Sequence, residues 1–196
     1  MEHCKGKIRA SINQSENRNN PTPNTASLQK KLAPELRRWA CEFISDPSQK
    51  QNQLQSGEWM ISDGLYGLTD TLFENTQYGI SFTTRINHST LAVDFGGKKL
   101  TRDNGYYTGL TNITHKWVID NPYNVHYTAK PAKGMSHDLF KNGTIGDGNC
   151  GLNAMTQILV ATLRHAQKNN QTDYATILRR AKTFSPKLYS VLKTHI

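Results

Sequence analysis

Apolar residues in this chain recur at three- and four-residue steps up to about residue 75. They alternate with polar residues from 78 to about 130, and return to the helical step after residue 150. Two changes of period exclude an all-helical bundle and an all-β sandwich. They predict an α/β (α+β) fold in which helices lead, strands cluster from about 78 to 130 and helices follow.

The elements can be read in order. Ser27 is an N-cap, and Leu28, Leu32, Leu36, Trp39, Ala40 and Phe43 form one apolar stripe behind it. Pro34 falls inside that stripe and is expected to split it, with Pro34 in the first turn of a second helix that Asp46-Pro47 ends. Residues 48–58 are polar and Gln-rich, a loop or a weak helix. A further helical region from 59 to about 75 offers Trp59, Leu65, Leu68, Leu72 and Phe73 to the core. Strands are expected at 78–84, 89–95, 116–119 and 125–129, with a turn region at about 102–112 and another turn at Asn121-Pro122. After Cys150 an amphipathic helix carries the stripe Leu152, Met155, Ile158, Leu159, Leu163 and Ala166. A last helical stretch holds Tyr174, Ile177, Leu178 and Ala181, and Pro186 breaks or restarts it.

A chain of 196 residues suits one domain. Residues 1–26, rich in Asn, Ser and Pro, have little to bury and are expected to be a disordered polar tail before a domain spanning 27–196. No run approaches the roughly 18 apolar residues of a membrane span. The N-terminus leads into no apolar segment of a secretory signal. The expected location is cytosolic; a protein secreted by a bacterium into a host cell's cytosol through an injection machine would show no such signal either. Cys4, Cys41 and Cys150 are too few and too widely spaced for a disulfide framework. With no C-x-x-C pair, no metal or other cofactor is expected. The net charge of +9 raises the prospect of acidic partners. Much of the excess follows the cysteine, in Arg164, Lys168, Arg179, Arg180, Lys182, Lys187 and Lys193. No nucleic-acid motif accompanies it, so neither nucleic acid nor membrane is the expected partner, and a monomer suffices.

The chemistry centres on Cys150. A cysteine at a helix start meets partial positive charge and unpaired N–H groups, and both favour its thiolate. The preceding Gly146-Asp147-Gly148-Asn149 lets the backbone turn sharply, and the N–H groups of Asp147, Gly148, Asn149 and Cys150 are candidate donors to an oxyanion. A thiolate nucleophile needs an imidazole. Among the seven histidines, His115 and His126 lie near strands. His126 is preferred, because on a strand Asn124 and Thr128 would flank its ring and Asn124 could orient it. His115 is the alternative. Cys41, inside a helix two residues from Trp39, reads as an inert structural thiol.

Asp147-Gly148-Asn149-Cys150 opening a helix resembles the active-site motif of the OTU (ovarian tumour) deubiquitinases. Val125-His126-Tyr127 is similar to that family's histidine motif, and Asn124 fits one of its two places for the third catalytic member; Thr128 does not fit the other. The chain order departs from the family, because His126 precedes Cys150. Either the chain stops before the family's histidine, or the domain is circularly permuted. Leu36-Arg37 resembles the Leu-Arg pair of the family's post-nucleophile helix, and the Trp59 region and the strand from Tyr78 follow in the expected order, which favours permutation. Permuted members are similar to bacterial effectors.

The resemblance, covering about residues 28–167, implies an OTU-like cysteine protease fold, a small central β-sheet packed between helices, permuted so that the nucleophile helix is C-terminal. Such a protease would hydrolyse ubiquitin conjugates or polyubiquitin chains, with Cys150, His126 and Asn124 as its triad. Gly151 would leave space for the narrow Gly-Gly tail of ubiquitin, and exposed apolar residues among 59–73 and in the strand region are candidates to meet its globular part. Two rival readings are a protease for a ubiquitin-like modifier, and a catalytically inactive module that binds acidic partners through the basic 164–193 face.

Overall fold

The computed structural model describes residues 25–55, 59–86, 89–95, 101–103, 106–108, 113–122, 126–131, 138–140 and 143–196. Among these residues the fold is mixed α+β, with helices at both ends of the described residues and strands between them. The helices are α1 (Thr25–Cys41), α2 (Pro47–Leu54), α3 (Ser62–Phe73), α4 (Cys150–Asn169), α5 (Gln171–Phe184) and α6 (Pro186–His195). The strands are β1 (Tyr78–Ile86), β2 (Ser89–Phe95), β3 (Thr101–Asp103), β4 (Tyr106–Thr108), β5 (His115–Pro122) and β6 (Thr128–Lys130). Four strands form one sheet in the order β2-β1-β5-β6, and β3 and β4 pair separately. Strand β1 runs antiparallel to β2 and parallel to β5, with Tyr78 opposite His115 and Ile80 opposite Trp117. Strand β6 is antiparallel to β5.

Several local expectations are corrected. Pro34 does not split the first helix, which runs unbroken through it. Leu28, Leu32, Leu36, Trp39 and Ala40 are all buried on one face. Their burial outweighs the roughly 3 kcal/mol that an interior proline costs. The helix begins at Thr25, so Ser27 lies inside it and Thr25 and Ala26 belong to the folded domain; residues 1–24 of the expected tail lie outside the described residues. Asp46-Pro47 does not end a helix but starts one. Asp46 Oδ1 caps α2 by accepting from the N–H groups of Ser48 and Gln49, and Pro47 stands in the first turn, where it lacks no bond. Asn121 and Pro122 belong to β5 rather than to a turn.

Helix α4 is the centre of the molecule. Every residue from Cys150 to Leu163 is buried. A helix buried all round must be enclosed by other elements, and α1, α5, β5 and β6 pack on it. The polar side chains on that buried surface, Asn153, Thr156, Gln157 and Thr162, therefore sit inside the protein. Among the described residues, no helix is long and apolar enough to cross a membrane.

Candidate active site

Cys150 opens α4 and is 3% exposed. Gly148 reaches φ +81°, a left-handed conformation that glycine adopts at little cost, and this turns the chain into the helix. The loop is laced by side chains. Asp147 Oδ1 accepts from the Asn149 N–H at 3.0 Å and from Asn153 Nδ2 at 2.9 Å. Asn149 does not cap α4 with its side chain. Its Oδ1 instead accepts from Arg37 Nε at 3.1 Å and Nη2 at 2.8 Å, while Arg37 Nη1 donates to the Gln53 carbonyl at 2.6 Å.

This lacing narrows the oxyanion donors. The Asn149 N–H is committed to Asp147 Oδ1, so of the four candidates it alone is taken within the loop. No acceptor among the described residues takes the N–H groups of Asp147, Gly148 and Cys150, which stand at the start of α4, where the helix dipole adds partial positive charge.

The segment that carries His126 is brought to the thiol, but not on a strand. Residues 126 and 127 precede β6, and their backbone donors go to side chains. The His126 N–H donates to Asn121 Oδ1 at 3.0 Å, and the Tyr127 N–H donates to Cys150 Sγ at 3.5 Å. The premise that His126 lies on a strand, from which its flanking by Asn124 and Thr128 was argued, is therefore corrected. The Thr128 hydroxyl bonds the Asp120 carbonyl; Asn124 lies outside the described residues.

The imidazole Nε2 is 3.1 Å from the Thr144 carbonyl. A carbonyl only accepts, so Nε2 carries the hydrogen and Nδ1 of the neutral ring is the basic nitrogen. That side of the ring lies along the active-site loop. A Cβ added to Gly146 would stand 3.4 Å from His126 Cε1 and 3.5 Å from Nδ1. Among the described residues the thiol's hydrogen-bond partner is the Tyr127 N–H; a thiol–imidazole bond often tightens only when substrate binds.

Three further expectations are settled by position. His115 opens β5, at the opposite end of that strand from Pro122 and His126, a separation of about 23 Å for an extended strand. It packs instead with Tyr78 and His165, and the Tyr78 hydroxyl is 2.7 Å from His165 Nδ1. Burial and the neighbouring His115 hold the His165 imidazole below its usual range. Gly151 leaves no vacant slot, because a Cβ there would meet Leu65 Cδ1 at 3.2 Å and the Tyr127 ring at 3.4 Å. Its smallness admits neighbouring side chains. Cys41 is fully buried, and burial pushes its thiol up, against the opposing charge of Arg37, as expected of an inert thiol.

The sequence reading missed Asn121, Arg37, Thr144 and two buried glutamines, Gln29 and Gln157. Asn121 supports two consecutive residues, through the His126 N–H and a side-chain bond with Tyr127, whose phenol burial pushes up. The one signal was an amide, Gln157, standing among the apolar residues of the nucleophile helix. Among the described residues, no three His, Cys, Asp or Glu side chains gather where they could hold a metal ion. The site thus joins a thiol at a helix start, an imidazole whose Nδ1 edge lies along the Gly146 loop, and backbone N–H groups. Compared with protein-family models, curated proteins and solved structures, the chain matches none.

Proposed function

We propose that the protein is an OTU-like, circularly permuted cysteine protease that hydrolyses ubiquitin conjugates or polyubiquitin chains. One observation carries this reading: the His126-Tyr127 backbone lies against Cys150 Sγ at the start of α4, although the chain reaches the histidine first. That juxtaposition of an earlier histidine segment with the thiol is what supports a permuted order.

In the proposed reaction Cys150 Sγ gives its proton to His126 Nδ1 and attacks the carbonyl of the terminal glycine of ubiquitin. The N–H groups of Asp147, Gly148 and Cys150 are the donors that hold the oxyanion. The imidazolium returns its proton to the leaving lysine amine, and water then hydrolyses the thioester. Trp59, 44% exposed and packed near the Tyr127 ring, supplies apolar surface at the site's edge for the bound protein. The rival basic module is less well supported. Arg164 bonds the His195 carbonyl, Arg180 bonds the Leu72 and Glu74 carbonyls, and Lys187 pairs with Glu35, so part of the basic set serves the fold.

The test is cleavage of a panel of ubiquitin dimers and of dimers of ubiquitin-like modifiers. Cleavage of ubiquitin dimers that Cys150→Ala abolishes is the expected result. Undiminished cleavage by Cys150→Ala, or cleavage of the other modifiers alone, would contradict the reading.

A further inference from the structure

The carbonyl that orients His126 belongs to a segment held from inside the protein. The Thr144 hydroxyl donates to Gln157 Oε1 at 2.8 Å and accepts from the Ala129 N–H of β6 at 3.3 Å. Gln157 Nε2 donates to the carbonyls of Leu139 at 3.0 Å and Gly143 at 2.9 Å. From the other side, Gln29 of α1 donates to the Gly143 carbonyl and accepts from the Ile145 N–H. Gln29 and Gln157 are each 1% exposed. A buried amide that lost these partners would be costly, so the network holds one arrangement. Gln157 stands two turns along the helix that Cys150 opens, and it faces the segment whose carbonyl bonds the imidazole.

We infer that Gln157 and the Thr144 hydroxyl are positioning residues for the base. They tie the Thr144 carbonyl to the nucleophile helix, and that carbonyl, rather than a carboxamide side chain, is the third member of the catalytic group. The carbonyl fixes the Nε2–H tautomer and leaves Nδ1 free for the Cys150 proton. Gln29 braces the same segment from α1. This assignment rests on the thiol–imidazole reading of the site, and its test does not need turnover.

The experiment is nitrogen NMR of the full chain labelled with 15N-histidine, with His126→Gln used only to assign the ring signals. Above the pKa of the imidazole, the wild-type ring is expected in the Nε2–H tautomer. Thr144→Val keeps the side-chain shape and removes the hydroxyl. Gln157→Glu keeps an acceptor for Thr144 and removes the donor to Leu139 and Gly143. Each is expected to shift His126 toward a mixture of tautomers. Each should also lower kcat for ubiquitin-dimer cleavage by about 10- to 100-fold with KM within about twofold, as misplacement of a base does. Thr144→Ser, which restores the hydroxyl, should recover the tautomer and most of the rate.

An Nδ1–H tautomer in the wild type overturns the inference whether or not any variant folds. An unchanged tautomer in both Thr144→Val and Gln157→Glu, or its loss only in Asn124→Ala, overturns it too. If the tautomer responds as stated but no ubiquitin dimer is cleaved, the positioning assignment stands and the proposed substrate falls.

Discussion

Arg37 shows how much of this site rests on single side chains. Two of its nitrogens converge on Asn149 Oδ1 and a third reaches the Gln53 carbonyl, so a buried guanidinium fixes the residue next to Cys150. Lysine keeps the charge but cannot present three donors in a plane. Arg37→Lys is expected to lower kcat about tenfold or more while KM changes little, since the loop would lose its alignment and not its substrate contacts. Steady-state kinetics on a ubiquitin substrate checks this. Asp70 is a different case. Burial and the nearby Glu74 push its carboxyl up to about 6, and one of its oxygens is buried with no partner among the described residues. A raised carboxyl pKa means that the folded state holds the proton more tightly than the unfolded chain. Stability is then lost as pH rises from about 4 to about 6, and the loss is complete above that window. Asp70→Asn should melt with the wild type below pH 4 and be more stable at pH 7, by on the order of 1 kcal/mol after solvent screening at this half-buried position. Thermal unfolding at the two pH values checks the sign.

At the scale of elements, the approach of α3 to the end of α1 depends on a missing side chain. A Cβ on Gly67 would stand 2.2 Å from Phe43 Cγ, too close for the ring to stay where it is. Gly67→Ala is expected to destabilise the protein by about 1–3 kcal/mol despite alanine's better helix propensity, a balance that denaturant unfolding measures. The helices themselves were legible. Leu65, Leu68 and Leu72 mark α3, and Leu152, Met155, Ile158 and Leu159 mark α4, because apolar spacing reports the buried face directly. Pro34 misled because one residue's backbone chemistry was weighed against a whole packed face. The place of His126 misled for another reason. Val125 to Ala129 alternates like a strand, but the backbone donors at 126 and 127 are taken by Asn121 and Cys150, so pairing with β5 begins only at Thr128. Side-chain capture of backbone groups leaves no mark in hydrophobic periodicity.

Across the whole molecule, the cysteine was legible because its signals, the glycine turn and the helix start, are local. Its supports were not. Arg37 lies 112 residues from Asn149, and Gln29 lies 116 residues from the Ile145 N–H that it holds, so neither could be paired with the site before the fold was known. The two ends of the described chain are also joined. Glu35 of α1 accepts from the Ser185 hydroxyl at 3.0 Å and pairs with Lys187 of α6 at 2.8 Å. Burial alone would raise the Glu35 carboxyl, but the bonds from Lys187 and Ser185 hold it below its ordinary value. A lowered pKa contributes stability above the unfolded value, and that contribution fades as pH falls through the folded one. Glu35→Gln is therefore expected to cost about 1–2 kcal/mol at pH 7, given how exposed Lys187 is, and progressively less below pH 4.5. Unfolding curves across that range check it.

The central claim is that Cys150, served by the earlier His126, attacks the C-terminal carbonyl of ubiquitin. The most direct measurement is labelling by ubiquitin with an electrophile at its C-terminus, with the modified residue located by peptide mass analysis. The account predicts one adduct, on Cys150. It should be absent in Cys150→Ala, strongly slowed in His126→Ala, and formed at the wild-type rate in His115→Ala. No adduct on a folded wild-type chain, or labelling that fails in His115→Ala and persists in His126→Ala, would contradict it.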